Sequence, residues 1–201
     1  MVVLLRVVKY CGLTRQRKQI RAIGFDDAPF QRHQQKQVNI SGIVCTNTRF
    51  EGMVWGVVEA DGDDATETIC QLLIGKKFLP QLHLVLLDGI GFGGFNLVDL
   101  PLLSHRLELP CVAMMRRLPK LEKMKQAMSR LPNYEQRLAV LGRAGEIHVF
   151  EPFFFQVSGE QPEIIAQALL QLTDCGKVPE ALRLAHLIGA AVIKGESSSQ
   201  A

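Results

Sequence analysis

The sequence has no C-x-x-C pair, no two histidines at helical ligand spacing, no apolar run of membrane-spanning length and no internal repeat. Each absence removes a class of protein. Structural zinc sites need closely spaced cysteine and histidine ligands. The five cysteines (Cys11, Cys45, Cys70, Cys111, Cys175) and five histidines (His33, His83, His105, His148, His186) are too scattered for a zinc ribbon or a histidine-rich centre. An odd number of cysteines, mostly in apolar stretches, suits free buried thiols in a reducing cytosol rather than a disulfide framework. The opening Met1-Val2-Val3-Leu4-Leu5 is too short for a signal peptide, so a cytoplasmic protein with no membrane association is expected. A large charge excess is also missing. The net charge of +3 permits a basic groove without demonstrating one.

A core is present in compensation. The hydrophobic fraction is 47% over 201 residues, enough to bury one domain without staples. The expected organisation is a basic lead-in over 1–18, one domain over 19–194 and a loose tail over 195–201. A short strand, Arg21-Ala22-Ile23-Gly24-Phe25, runs into Asp26-Asp27. Residues 38–48 and 50–59 read as two longer strands around a turn at 47–52. Asp63 or Asp64 can cap a helix to about Ile74. Residues 82–87 are apolar throughout, as in a strand buried on both faces, and end in Asp88-Gly89. Asn96 can cap a helix to about Leu107, and Pro110 opens the strand 111–115. Helices are expected over 118–131, 134–141, 161–173 and 180–192, with short strands at 147–150 and 153–157. This order, three strands, a helix, then alternating strand and helix, predicts an α/β mixed sheet with an antiparallel start and a parallel continuation. It matches the ribonuclease-H-like plan, in which the first and fourth strands are neighbours.

That plan places Asp26 and Asp88 side by side at the rim of the sheet. Two carboxylates so close call for a cation between them, which predicts a divalent-metal enzyme using Mg²⁺ or Mn²⁺. A third acid is expected from Glu59-Ala60-Asp61-Gly62-Asp63-Asp64. Asp61 is the first choice, with Asp64 and Glu59 behind it, although a turn plus helix cap explains Asp64 equally well. Arg116 and Arg117 follow the strand 111–115 at the same rim and could hold a phosphate, or simply flank a helix. Lys120, Lys123 and Lys125 could track a nucleic-acid backbone. Phe150, Phe153, Phe154 and Phe155 are better explained as core than as base-stacking residues. His186, on a helix, reads first as a packing residue. Gly89-Ile90-Gly91-Phe92-Gly93-Gly94 matches the G-x-G-x-x-G dinucleotide fingerprint, but three strands precede it and Asp88 would sit beside the pyrophosphate.

Several segments together resemble one family. Gly24-Phe25-Asp26-Asp27-Ala28-Pro29-Phe30, the stretch 61–67 and the stretch 87–96 resemble endonuclease dU, as do 115–119, 179–186 and 195–197. The resemblance covers about residues 19–198. That family is similar in turn to endonuclease V, whose fold is ribonuclease-H-like. The resemblance implies a Mg²⁺-dependent endonuclease of DNA repair that cuts DNA, with RNA left open, at or near a deaminated base. It implies catalytic roles for Asp26, Asp61, Asp88, Arg116 and Arg117, with Asp26, Asp61 and Asp88 holding metal. Endonuclease V has a glutamate before glycine where Asp61 stands before Gly62. The family usually has glycine where Ala28 stands. Substrate contacts are expected from Asp27, Gly89, Gly91, Phe92, Gly93, Gly94, Phe95, Lys120 and His186. The alternative reading is a non-catalytic nucleic-acid or partner-binding module on a nuclease-like fold. Oligomeric state is open.

Overall fold

The structure is a computed structural model and describes residues 19–198 except His33. The expected basic lead-in over 1–18 and the last three residues of the expected tail lie outside the described residues. The strands are β1 (Arg21–Asp27), β2 (Gln37–Thr46), β3 (Arg49–Glu59), β4 (Leu84–Asp88), β5 (Gly91–Phe92), β6 (Asn96–Leu97), β7 (Cys111–Met115), β8 (His148–Phe150) and β9 (Phe153–Ser158). The helices are α1 (Ala65–Leu73), α2 (Leu100–Leu107), α3 (Leu121–Met128), α4 (Tyr134–Arg143), α5 (Pro162–Leu172) and α6 (Glu180–Lys194). A short 3-10 turn covers Leu79–Gln81. Among the described residues no helix is long and apolar enough to cross a membrane.

Seven strands form one mixed sheet in the order β3-β2-β1-β4-β7-β9-β8. β1, β2 and β3 pair antiparallel, while β4 runs parallel to both β1 and β7. The parallel stretch ends there, because β9 and β8 return antiparallel. First and fourth strands are neighbours as the ribonuclease-H-like plan predicts, with Phe25 opposite Leu87. One step further along each strand stand Asp26 and Asp88.

Period-two alternation divides the side chains of β1 and β4 between two cores. Ile23, Phe25, Val85 and Leu87 face a core completed by Ile69 and Leu73 of α1 and Leu100, Leu103 and Leu107 of α2. Ala22, Leu84 and Leu86 face the other, completed by Ile165, Leu169 and Leu172 of α5 and Leu182 of α6. Gly24 is also on this second face. A Cβ there would lie 2.7 Å from the backbone of Ala181 and Leu182, so the glycine lets α6 lie directly on the strand. Ser41 Oγ donates to the Ala185 carbonyl at 3.0 Å and pins the same helix to β2. α3 and α4 form a satellite packed through Met128 and Leu141 against Leu97.

Two local expectations need correction. The residue capping α2 is Asp99, which accepts from Leu102 N at 3.2 Å, and not Asn96. Asn96 is fully buried and committed elsewhere: its Oδ1 accepts from Ala65 N at 2.9 Å and its Nδ2 donates to the Glu59 carbonyl at 2.9 Å. Asn96 therefore satisfies the first turn of α1, where Asp64 makes no side-chain cap bond. The glycine run, in turn, does not open a helix. It makes the tight hairpin β5–β6, and α2 begins only at Leu100. No helix start is offered to a pyrophosphate by these glycines, which removes the dinucleotide reading.

Candidate metal centre

The alternation that buries Ala22 and Leu86 carries through to the strand ends. Asp26 and Asp88 share the face of Ala22, Gly24, Leu84 and Leu86, toward α6, while Asp27 points to the opposite face. Because α6 lies so close over Gly24, His186, one turn beyond Leu182, reaches the rim. Its Nδ1 lies 2.9 Å from Asp26 Oδ2. Asp26, Asp88 and His186 each offer a ligand atom, and these atoms lie within 4.8 Å of one another. Asp26 is only 5% exposed.

The electrostatics of this corner are unfavourable without a cation. Burial raises the Asp26 carboxyl above its ordinary value, the His186 bond opposes that rise, and the Asp88 charge adds to it. Burial, then the Asp26 charge, pushes Asp27 up to about 6. His186 is raised by its bond to Asp26. Two carboxylates and an imidazole, converging and partly desolvated, are a donor set that fits a divalent cation.

Around the cluster the sequence-predicted residues sort into two groups. Arg116 is brought to the cluster: its guanidinium lies 3.0 Å from Asp88 Oδ2 and is half-exposed at the rim. Arg117 and Lys120 are exposed. Gly89, with φ of 92°, turns the chain directly after Asp88 and donates its N–H to the Met114 carbonyl at 2.8 Å. Asp27 does not join the cluster. Its Oδ2 accepts from Gly93 N at 2.6 Å and ties the glycine-rich loop to the end of β1. Ala28 is buried against Gly189 of α6, where the missing Cβ leaves room for its methyl.

Asp61 stands apart from the three converging side chains. Its Oδ1 accepts from Phe95 N at 2.8 Å and pairs with Arg32 at 3.1 Å, so its carboxylate braces the glycine-rich loop. Asp64 Oδ1 accepts from Glu59 N at 3.1 Å and from Asn96 Nδ2 at 2.5 Å. The third member of the cluster is thus His186, which sequence reasoning named for substrate contact and not for metal. A signal was available: on α6 it lies on the stripe of Leu182 and Ala190, a polar residue among buried ones. Of the four clustered phenylalanines, Phe153 and Phe155 are core.

The sequence profile of the family described as endonuclease dU matches residues 18–193. A UPF0215 protein from Methanothermobacter thermautotrophicus is 37% identical over 190 residues, covering 92% of this chain and 93% of that protein. A crystal structure of a protein of unknown function from Archaeoglobus fulgidus superposes with a TM-score of 0.83 at 33% identity, covering 88% of this chain and 99% of the other. Endonuclease V from Ciona intestinalis, crystallised with a 24mer DNA containing an inosine, superposes with a TM-score of 0.57 at 17% identity, covering 90% of this chain and 88% of the other. That likeness shows the fold, which is ribonuclease-H-like.

Proposed function

The chain belongs to the endonuclease dU family, and on that premise we propose that it is a metal-dependent endonuclease cutting DNA at or near deaminated bases, deoxyuridine and deoxyinosine being the leading targets. The observation that carries this reading is the convergence of Asp26, Asp88 and His186 within 4.8 Å. The inosine-containing DNA bound by the Ciona endonuclease V supports the choice of substrate.

In this reading Asp26 and Asp88, the oxygen donors, and His186 would hold Mg²⁺ or Mn²⁺, the two carboxylates being the donors that suit these ions. An ion held by these residues would supply Lewis acidity to a phosphate oxygen and to the attacking water. The chain's own residues do the rest. Burial of Asp26 lowers the local dielectric and keeps the donor geometry fixed. Arg116, poised 3.0 Å from Asp88, holds the scissile phosphate and steadies its developing charge. Arg117 and Lys120 extend the anion-binding edge. The Gly91–Phe95 loop receives a base turned out of the helix, a step that is cheapest for a weakly paired, damaged base. Asp61 serves as the brace of that loop.

The test is a nicking assay with Mg²⁺ or Mn²⁺ on oligonucleotides carrying one uracil, hypoxanthine or abasic position, against an undamaged control. Wild-type protein should nick a deaminated strand only with the metal present, and Asp26→Asn and Asp88→Asn should abolish nicking while melting stays cooperative. Undiminished nicking in either variant, or cleavage in EDTA, refutes the assignment.

A further inference from the structure

Arg137 of α4 is 7% exposed, and its guanidinium hydrogen-bonds to backbone carbonyls. Nε donates to the Pro132 carbonyl at 3.1 Å, one terminal nitrogen to the Gly62 carbonyl at 2.8 Å and to the Phe95 carbonyl, and the other to the Asp61 carbonyl at 2.5 Å. A buried guanidinium is costly unless its donors are satisfied, and here they are satisfied by three separate chain segments. Only a planar fork of this kind can reach all of them at once.

Two of those segments are the turn at Asp61 and the end of the glycine-rich loop at Phe95, and they are joined further. Asp61 N donates to the Gly93 carbonyl at 2.9 Å, and Phe95 N donates to Asp61 Oδ1 at 2.8 Å. Arg32 pairs with the same carboxylate, and its guanidinium lies 4.9 Å from the centre of the Phe95 ring. Gly89, Gly93 and Gly94 all take positive φ, a backbone with much freedom to lose. On one side Asp27 holds the loop through Gly93. On the other, Arg137 and Asp61 hold it through Phe95. Asp61 also borders an open hollow of about 890 Å³ walled by Gln34, Gln35 and Gln37, whose amides can both donate and accept.

We propose that Arg137 is a positioning residue that fixes the glycine-rich loop in the shape that receives an extruded nucleobase, independently of the metal centre. This rests on the reading of the site as a lesion nuclease. Arg137 touches neither base nor phosphate. It sets the height of Phe95, and with it the guanidinium–aromatic pair that a flat, hydrogen-bonding base meets.

The experiment compares wild type, Arg137→Met and Arg137→Lys by amide exchange at Gly93 and Phe95, by Mn²⁺ affinity, and by kcat and KM on a uracil- or hypoxanthine-bearing oligonucleotide. Arg137→Met should speed exchange at both amides by about tenfold or more and raise KM by a similar factor. Its kcat should stay within threefold and its Mn²⁺ affinity within twofold. Arg137→Lys should recover part of both losses. If Arg137→Met does not fold, Arg137→Gln, which keeps a side-chain amide donor at that position, should give the same signature in milder form. Unchanged exchange at Phe95 in a folded variant overturns the positioning role and leaves the nuclease reading intact. So does a fall in kcat and Mn²⁺ affinity at constant KM. If wild type binds the lesion strand without cutting it, the loss should appear in Kd instead, and only the nuclease reading falls.

Discussion

At the scale of single residues, three carboxylates stand in one corner of a sheet and are held very differently. Asp26 and Asp88 face α6 with His186, whereas Asp27 faces away and holds Gly93. Burial makes charge expensive there. Asp27 is pushed up to about 6, chiefly by burial and then by Asp26. A carboxyl that keeps its proton longer in the fold than in the unfolded chain stabilises the fold below about pH 4, and that contribution is lost as the pH rises through 6. Asp26 is raised as well and acts in the same direction. His186, raised by Asp26, stabilises below about pH 6.5 and loses that contribution above its folded value. The ion-free protein should therefore lose stability between pH 4 and 7, by roughly 2–3 kcal/mol for Asp27 alone, and Asp27→Asn should flatten that slope. Melting curves in EDTA across this range check it. Added Mn²⁺ should raise the melting temperature more at pH 8 than at pH 5, since ligands must be deprotonated to bind. The convergence of Asp26 and Asp88 was legible in the sequence because each ends a buried hydrophobic strand. His186 lies 160 positions from Asp26, and a lone histidine on a helix carries no local mark of the strand it will cross.

At the scale of elements, α6 is what converts two strand ends into a site. Its approach is set by Gly24, where a Cβ would collide with backbone and not with a flexible side chain. Gly24→Ala should cost about 3 kcal/mol, and by lifting the helix that carries His186 it should also weaken Mn²⁺ binding. Thermal melts and metal titrations on one sample separate the two effects. Unaltered metal affinity in a destabilised Gly24→Ala would mean that His186 is not held through this contact. Strand and helix positions were legible from periodicity and turn residues, because those signals are local. The role of Asp61 was not. An acid before a glycine at the mouth of a helix looks alike whether it faces a metal or the N–H of Phe95, and the choice is made by a loop 34 residues away. Asn96 misled for the same reason: its capping chemistry is real but is spent on α1 and not on its own helix.

At the scale of the whole molecule, the mild net charge conceals an uneven distribution. The stretch 116–130 carries Arg116, Arg117, Lys120, Lys123, Lys125 and Arg130 against the single acid Glu122, while the chain as a whole has a net charge of +3. Most of these side chains are exposed, on the segment that runs from the end of β7 through α3. DNA binding should weaken steeply with salt, and replacing Lys120 and Lys123 by Gln should lower the log–log salt slope by about 2. A slope that does not change would place the DNA elsewhere. The antiparallel start and the parallel β1–β4–β7 centre were legible, the first from element order and the second from the match of that order to the ribonuclease-H-like plan. The antiparallel β8–β9 edge was not, since nothing in two short strands around Pro152 fixes their direction.

The most direct measurement is a calorimetric Mn²⁺ titration of wild type, Asp26→Asn and Asp88→Asn. Wild type should bind one ion per chain at the shared site. Each variant should lose that binding while melting as a folded protein. Equal affinity in all three proteins would mean that Asp26 and Asp88 hold no ion, and the account of this site would be wrong.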